Sequence, residues 1–275
     1  MKDERLAIKD EMWEKPALDA WHQYSLWGAK AMTETFVLIH GAWHGAWCWA
    51  GVRTPLEAAG HRAYALDLPS HGESRFERSK VTLQVYADSV IKFIAEHDLR
   101  NVVLAGHSMG GLVISQVAQR IPKRMKRVIF LTAMVMEDGE RPVDLSLEPN
   151  RPLAGLANSR PDRSIPIDAL EERFRAAYIQ DASKDLQDYV LSALTPQPLA
   201  PLSEPVPMKD FYRLRLPTSY LICEDDISMM PQFMWHPHFS GRLRSPSTRS
   251  IKCGHESMFT APKQTAQALI ELAKS

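Results

Sequence analysis

The stretch of sequence that decides the fold reads Asn-Val-Val-Leu-Ala-Gly-His-Ser-Met-Gly-Gly and runs from Asn101 to Gly111. Its first five residues form a short apolar run that is typical of a buried strand, and helical periodicity follows as far as Arg120. Between the two, residues 106–110 fit the pattern G-x-S-x-G. A sharp strand-to-helix turn crowds its neighbours, which explains the glycines two residues before and after the serine. We therefore predict that Ser108 is an exposed nucleophile rather than an incidental serine in a glycine-rich turn.

Short apolar runs alternate with helical periodicity on both sides of this stretch. Strands are predicted at residues 36–39, 63–66, 101–105, 128–135, 219–223 and 248–253, and helices at 47–60, 81–97, 109–120 and 262–273. Because the strands are continuously apolar, this alternation indicates an α/β fold. We expect a mostly parallel sheet of about six strands with helices on both faces.

A proline-rich interruption, residues 137–210, separates the fourth predicted strand from the fifth. It shows two helical patterns, at 168–180 and 184–194, and no strand signal. Ligands of open α/β sheets bind outside the carboxyl ends of the strands, so we interpret the interruption as a helical cap, or lid, over the site. The core then comprises residues 32–136 and 211–275.

Residues 1–31 precede this pattern and mix charged residues with four aromatic ones, Trp13, Trp21, Tyr24 and Trp27. They form an N-terminal extension of unknown role. Two interpretations of this extension stay open: an arm that docks on the core, and a segment without a function.

The serine needs a base, and His255 is the best-placed histidine because it lies between the last predicted strand and the last helix. An acid that orients the imidazole should follow Ser108 and precede His255 in the chain. The acidic run just after the fifth predicted strand offers Asp226, with Asp225 as the alternative. Asp138, after the preceding strand, is a less favoured third candidate.

Two backbone N–H groups are expected to stabilise an oxyanion beside the serine. One belongs to Met109, next to the nucleophile, and the other to Ala42, in the loop after the first strand. His40, Trp43 and His107 are candidate substrate contacts beside these groups. His40 also suits a role in shaping its loop, and His107, as the x of the motif, should point away from the serine.

The composition argues against several classes of partner. Thirty-three basic residues balance thirty-three acidic ones, so no net charge favours nucleic acid or an anionic membrane surface. The sequence also lacks an apolar run near the roughly 20 residues that span a bilayer. We expect a small-molecule substrate and a monomer or homodimer.

Cysteine and histidine usage bears on compartment and cofactor. Cys48, Cys223 and Cys253 cannot all pair, and the charged N-terminus does not fit a signal peptide, so a cytoplasmic location is expected. His236 and His238 form a H-x-H pair without a third ligand at matching spacing. We therefore expect no metal and no organic cofactor.

Four stretches carry a resemblance that runs from Thr35 to the C-terminus. They are residues 36–49 (FVLIHGAWHGAWCW), residues 105–111 (AGHSMGG), the Cys-x-x-Asp that ends at Asp226, and the Gly-His-x-x-Met at 254–258 with Pro262 downstream. The sequence resembles the plant methylesterase and hydroxynitrile lyase branch of the α/β-hydrolases, together with bacterial esterases that act on carbamate and pyrethroid pesticides. In that family the acid lies three residues after the strand cysteine, which favours Asp226 over Asp225. A proline usually follows four residues later, whereas Pro231 stands five residues after Asp226.

The resemblance implies two chemistries. Lyases of this branch carry a lysine directly after the catalytic histidine, whereas this sequence has Glu256, whose negative charge would oppose cyanide stabilisation. We therefore expect a serine hydrolase that cleaves a small, apolar or aromatic carboxylic ester through an acyl-enzyme intermediate. The apolar side chains that suggest this substrate are Trp43, Met134, Met136, Met229, Met230 and Met258, and a place in the core stays open for most of them.

The alternatives are cleavage of a lactone, carbamate, amide or C–C bond, hydroxynitrile lyase activity, and a small-molecule receptor on the same fold. A dehalogenase is disfavoured, because that chemistry uses an aspartate at the position of Ser108.

Overall fold

The apolar runs pair into one sheet in the computed structural model, which describes residues 33–145 and 147–275, without the side chains of 147–152. The strands are β1 (Thr35–Ile39), β2 (Arg62–Leu66), β3 (Val102–Ser108), β4 (Met125–Ala133), β5 (Ser164–Ile165), β6 (Gln197–Pro198), β7 (Thr218–Cys223) and β8 (Ser247–Ile251). The main sheet has the order β2-β1-β3-β4-β7-β8, and all of its neighbouring strands are parallel. The predicted α/β fold is thus confirmed, with a fully parallel sheet.

Helices cover both faces of the main sheet. They are α1 (Ala50–Ala58), α2 (Leu83–Glu96), α3 (Gly110–Arg120), α4 (Pro142–Leu145), α5 (Leu147–Ser159), α6 (Glu171–Arg173), α7 (Lys184–Ala193), α8 (Ala200–Ser203), α9 (Ser257–Thr260) and α10 (Pro262–Lys274). Side-chain caps set two of their starts, since Thr82 accepts a hydrogen bond from Val85 N–H at α2 and Ser183 accepts one from Leu186 N–H at α7.

The strand order brings the loops that follow β1 and β3 together. β1 pairs with β2 on one side and with β3 on the other, so the order reverses at this point of the sheet. Ile39, the last residue of β1, lies opposite Gly106. Such a switch point opens a crevice at the carboxyl edge of a parallel sheet. Every residue of β1 and β3 is buried, so the crevice sits on a rigid base.

The region between β4 and β7 differs most from the sequence prediction. The pattern at 184–194 is confirmed as α7, but the pattern at 168–180 becomes the short α6 followed by a π-helical turn, Phe174–Tyr178. Helix α5 was not predicted, because two prolines stand in its first six residues and proline disfavours a helix interior. The antiparallel pair β5–β6 was also not expected, because two-residue strands give no periodic signal.

We use "cap" for residues 137–210, the range that the sequence suggested; these boundaries, and those of the core, stay a prediction. The N-terminal extension, residues 1–31, lies outside the described residues. Within the described ranges, no helix is long and apolar enough to cross a membrane.

Candidate active site

Ser108 lies on a strained turn between β3 and α3. Its φ is +53°, a left-handed conformation that is uncommon for a residue with a side chain. The turn is tightly packed: a Cβ added to Gly106 would lie 2.7 Å from the carbonyl oxygen of Gly110, and one on Gly110 would lie 2.7 Å from that of Ile39. Glycine at both positions is therefore a steric requirement of the turn. This packing explains the two glycines of G-x-S-x-G.

Asp226 and His255 form a buried pair at the ends of β7 and β8. The Asp226 Oδ2 to His255 Nδ1 distance is 2.6 Å, and both side chains are 1% exposed. Burial raises the pKa of Asp226, but the attraction of His255 outweighs it and holds that pKa below its usual range. Burial lowers the pKa of His255, but Asp226 outweighs this and raises it. The imidazole is therefore oriented and made more basic by the carboxylate.

The two competing acids lie elsewhere. Asp225 is exposed, and its backbone N–H donates to the Cys253 carbonyl at 3.0 Å. Asp138 accepts hydrogen bonds from the backbone N–H groups of Met208 and Lys209. The structure thus brings Asp226 to the histidine, as the sequence favoured, while the catalytic role of the pair stays a prediction.

Three polar or aromatic neighbours of this pair were missed by the sequence reasoning. Ser228 donates to Asp226 Oδ1 from both its backbone N–H, at 2.9 Å, and its hydroxyl, at 2.6 Å. Thr132, at the end of β4, donates to Asp226 Oδ2 at 2.8 Å. The Trp235 ring stacks on His255 with centroids 5.0 Å apart. A serine two residues after an aspartate is a local turn signal that could have identified Ser228.

The loop after β1 holds the other expected oxyanion donor. Ala42 lines the same cavity as Ser108 and Met109. Trp43 follows with a φ of +66°, and the cap holds its backbone on both sides. Its N–H donates to Gln197 Oε1 at 3.2 Å, and its carbonyl accepts from Thr195 N–H at 2.8 Å. The cap therefore fixes the turn that presents Ala42 to the cavity.

The cavity above Ser108 is almost entirely apolar. None of the described residues that line it is charged. The lining consists of Ala42, Trp43, Ser108, Met109, Met134, Pro142, Val143, Leu153, Ala154, Ile165, Tyr178, Leu199, Leu202, Met229 and Trp235. Eight of these side chains lie within residues 137–210, while the interpretation of that range as a lid stays a prediction. The indole N–H of Trp43 has no hydrogen-bond partner within the described part of the chain.

Comparisons with known proteins show the family of this chain. The family model described as "Alpha/beta hydrolase family" matches residues 36–268. The chain belongs to this family. A carbendazim hydrolyzing esterase from Nocardioides sp. (strain SG-4G) is 29% identical to this hydrolase over 250 residues, covering 86% of this chain and 98% of that one. Methylesterase 7 of Arabidopsis thaliana is 25% identical over 254 residues, covering 86% and 95%.

A solved structure is also similar to this hydrolase. It is an extracellular alpha/beta-hydrolase from a Paenibacillus species, described as sharing structural and functional homology with tobacco salicylic acid binding protein 2. It is 30% identical, with a TM-score of 0.82, and the match covers 88% of this chain and all of that one. The resemblance to methylesterases and bacterial esterases is thereby confirmed.

Two of the three candidate substrate contacts need correction. His40 is fully buried, and its ring bonds with the Gly41 carbonyl at 2.7 Å and with Leu68 N–H at 3.1 Å. His107 is also fully buried, and its Nε2 lies 3.1 Å from the His255 carbonyl. Neither lines the cavity, because each ring is used to tie loops of the core together. Trp43 does line it.

The methionines that were expected near the site lie in two different places. Met134 and Met229 line the cavity, whereas Met136 and Met258 are fully buried in the core.

One group of side chains has the composition of a metal site. The ligand atoms of His107, His255 and Glu256 lie within 4.8 Å of one another, and all three side chains are buried. His255 Nδ1 is occupied by Asp226, so a metal would take Nε2, the atom that a serine nucleophile needs as its base. We therefore assign no metal to this group, and the absence of a cofactor stays a prediction.

A segment of the cap, residues 173–181, bonds with the loops that carry Asp226 and His255; we call it the brace. Gly254 N–H donates to Asp181 Oδ2 at 2.7 Å, and Glu256 N–H donates to the Tyr178 carbonyl at 3.3 Å. On the acid loop, Gln180 Nε2 donates to the Asp225 carbonyl at 2.8 Å and Arg173 donates to the Ser228 carbonyl at 3.0 Å. Both loops therefore share hydrogen bonds with the cap.

Proposed function

We propose that this hydrolase cleaves small, neutral carboxylic esters with an apolar or aromatic part, through an acyl-enzyme intermediate. The observation that carries the proposal is the buried Asp226–His255 pair, 2.6 Å apart, beside an apolar cavity that has Ser108 in its lining. A nucleophile, an oriented base and a cavity that holds the substrate beside them are the parts that acyl transfer requires.

The reaction follows from these parts. Ser108 Oγ attacks the ester carbonyl carbon while His255 Nε2 takes its proton, and Asp226 stabilises the resulting imidazolium. The N–H groups of Ala42 and Met109 stabilise the tetrahedral oxyanion. When the intermediate collapses, His255 returns the proton to the departing alkoxide, leaving an acyl group on Ser108. Water, deprotonated by His255, then attacks the acyl carbonyl. The bond to Ser108 Oγ breaks, His255 returns the proton to that oxygen, and the acid is released.

Support for the substrate class comes from the cavity. An uncharged lining offers nothing to offset the desolvation of a charged substrate, so neutral esters are favoured. The names of two relatives, a methylesterase and a carbendazim hydrolyzing esterase, fall in the same range of chemistry.

Hydroxynitrile lyase activity is not favoured. Glu256 occupies the position after the histidine, its carboxyl is buried opposite His44, and it is absent from the cavity lining. The site therefore offers no lysine at that position to stabilise a cyanide leaving group.

The test is labelling and turnover of a Ser108→Ala variant. A fluorophosphonate probe should modify the wild-type enzyme at Ser108, and the alanine variant should lose labelling and at least about 10⁴-fold in kcat on p-nitrophenyl and methyl esters. Ser192→Ala, on the exposed face of α7, is the matched control and should behave as wild type. Equal hydrolysis by Ser108→Ala and wild type would refute the mechanism.

We also propose that the enzyme acts in a reducing compartment such as the cytoplasm, as a monomer or homodimer on a small-molecule substrate. The support is that all three cysteines are buried and unpaired. Cell fractionation and light scattering of the purified enzyme test this. Recovery from the culture medium, as the name of the Paenibacillus relative suggests for that protein, would contradict the location.

A further inference from the structure

The carboxyl group of Glu256 is buried opposite the ring of His44. Glu256 Oε2 lies 3.3 Å from His44 Nε2, and both side chains are 1% exposed. Neither atom has a hydrogen-bond partner within the described residues, so this 3.3 Å contact is the nearest polar approach that the structure gives either atom. A buried polar atom without a partner is unfavourable in free energy, so Glu256 Oε2 and His44 Nε2 each need the other as a polar neighbour.

The other ring nitrogen of His44 decides where the protons are. His44 Nδ1 lies 2.8 Å from the carbonyl oxygen of Ala42, which can only accept, so Nδ1 carries the hydrogen. A neutral His44 then presents a lone pair at Nε2. A carboxylate facing that lone pair would be repelled, whereas a carboxylic acid can donate its O–H to it.

Burial favours this neutral form of the pair. It raises the pKa of Glu256 to about 8 and lowers the pKa of His44 to about 3. At neutral pH both groups are then uncharged, and a proton on the Glu256 carboxyl faces the Nε2 lone pair of His44 across the 3.3 Å contact.

The hydrogen bonds continue from His44 into the oxyanion loop. The Ala42 carbonyl that His44 holds belongs to the peptide that leads into Trp43, whose φ of +66° is strained. A hydrogen bond to this peptide helps to keep the turn in place, and the turn carries Ala42, whose N–H is the proposed oxyanion donor, at the cavity wall.

We propose that Glu256 is a positioning residue that, as a neutral acid, donates a hydrogen bond to His44 and thereby holds the oxyanion loop. The proposal rests on the proposed function, because it assigns Glu256 a part in that same reaction. It also gives the Glu256 position, which a lysine occupies in the related lyases, a role that does not involve the substrate.

Ionisation of Glu256 would disturb both halves of the site. The titratable groups facing its carboxyl are His44 after β1, His107 in the nucleophile turn, His255 and Asp226 on the last loops, Asp181 and Tyr178 in the cap, and Cys48 before α1. Among these groups only His255 lowers the pKa of Glu256. A negative charge here would therefore hold the proton on His255 and oppose the developing oxyanion.

The experiment measures kcat between pH 6 and 10 for wild type, Glu256→Gln and Glu256→Met. The wild-type kcat should fall above pH ~8, by about 10-fold or more at pH 10, since the active form is protonated. Glu256→Gln can donate to His44 but cannot ionise, so this fall should disappear. Glu256→Met cannot donate, and its kcat at pH 7 should be at least about fivefold below that of Glu256→Gln, as loss of one hydrogen bond predicts.

The control is Glu172→Gln, an exposed acid on α6, which should keep the wild-type profile. If Glu256→Gln retains the alkaline fall, or if Glu256→Met matches wild type, the proposal is wrong.

Infrared difference spectra separate this proposal from the proposed function. Wild type minus Glu256→Gln at pH 6.5 should show the carbonyl band of a protonated carboxylic acid, and the band should vanish as the pH rises through ~8. Absence of the band at pH 6.5 overturns the proposal even when ester turnover is normal. A band without any Ser108-dependent turnover or labelling instead refutes the hydrolase function, and the positioning role with it.

Discussion

The two sides of the active site are held in different ways. The elbow side, Ser108 with its flanking glycines, is fixed by close contacts between backbone atoms of β3, α3 and the neighbouring strands. The acid–histidine side, residues 223–228 and 253–256, is fixed by hydrogen bonds from side chains. Some of these come from the core, as with Thr132 to Asp226, and others from the brace. The geometry of the elbow side therefore depends on tight packing of its backbone, and that of the acid–histidine side depends on its hydrogen-bond partners.

This difference determines whether a substitution on each side should first reduce stability or turnover. Overfilling the elbow side forces the backbone apart, so a change there should appear first as lost stability. The acid–histidine side can lose a hydrogen bond while its fold remains, so a change there should appear first as lost turnover. The brace also ties the base to the cap, which supplies most of the cavity wall. Cavity shape and base orientation are therefore coupled.

The largest effect should come from Asp226→Asn, which keeps the shape of the acid–histidine side. Ser228 donates twice to Oδ1, so the asparagine oxygen should take that place and its amide nitrogen should face His255. The imidazole would then carry its hydrogen on Nε2, where it cannot accept the serine proton. We expect kcat to fall by about 10⁴-fold with little change in melting temperature.

Asp225→Asn is the matched control, because Asp225 is the adjacent, exposed acid. Its kcat should equal that of wild type. The assignment would be reversed if Asp225→Asn lost activity and Asp226→Asn kept it.

The elbow side was predictable from sequence because its glycines and its serine stand within five residues at fixed spacing. Gly106 is required by a contact inside the turn, with the Gly110 carbonyl, and Gly110 by a contact with the Ile39 carbonyl of β1, but both requirements appear in that one short pattern. The acid was harder, since Asp225 and Asp226 differ by one position and only the register of the loop after β7 separates their side chains. The sheet itself followed from its apolar central strands, β1, β3 and β4, whereas the edge strand β8 is mostly polar and exposed.

The rest depends on contacts that are distant along the chain. Asp181 meets Gly254 and Gln197 meets the backbone of Trp43, and each pair is separated by more than 70 residues. A single sequence carries no sign of such pairs, so the brace was missed. His40 and His107 were misplaced for the same reason: their hydrogen bonds with Leu68 and His255 turn them away from the cavity.

The second prediction compares one glycine from each side. A Cβ on Gly111 would lie 2.3 Å from the carbonyl oxygen of Met134, which is backbone and cannot easily move. A Cβ on Gly254 would lie 2.6 Å from Asp181 Oδ1, which is the end of a side chain. Gly111→Ala should therefore lower the free energy of unfolding by about 3 kcal/mol.

Gly254→Ala should lower the free energy of unfolding by only about 1 kcal/mol, but should reduce kcat about 10-fold, because Asp181 must leave its N–H partner. Urea unfolding and turnover per active site measure the two quantities. The contrast between the sides would be lost if Gly254→Ala were the less stable variant.

The smallest effect should come from Asp181→Ala, which cuts one hydrogen bond of the brace. Asp181 is exposed, so its removal leaves no cavity, but Gly254 N–H loses an acceptor at 2.7 Å next to His255, the proposed base. We expect kcat to fall about 5- to 10-fold, the equivalent of one hydrogen bond, with the melting temperature nearly unchanged.

Asp181→Asn, which keeps an acceptor oxygen, should recover part of the loss. Asp185→Ala, an exposed acid in the first turn of α7, should leave kcat unchanged. If Asp181→Ala and Asp185→Ala have the same kcat, the brace only covers the site, and the base takes its orientation from Asp226 alone.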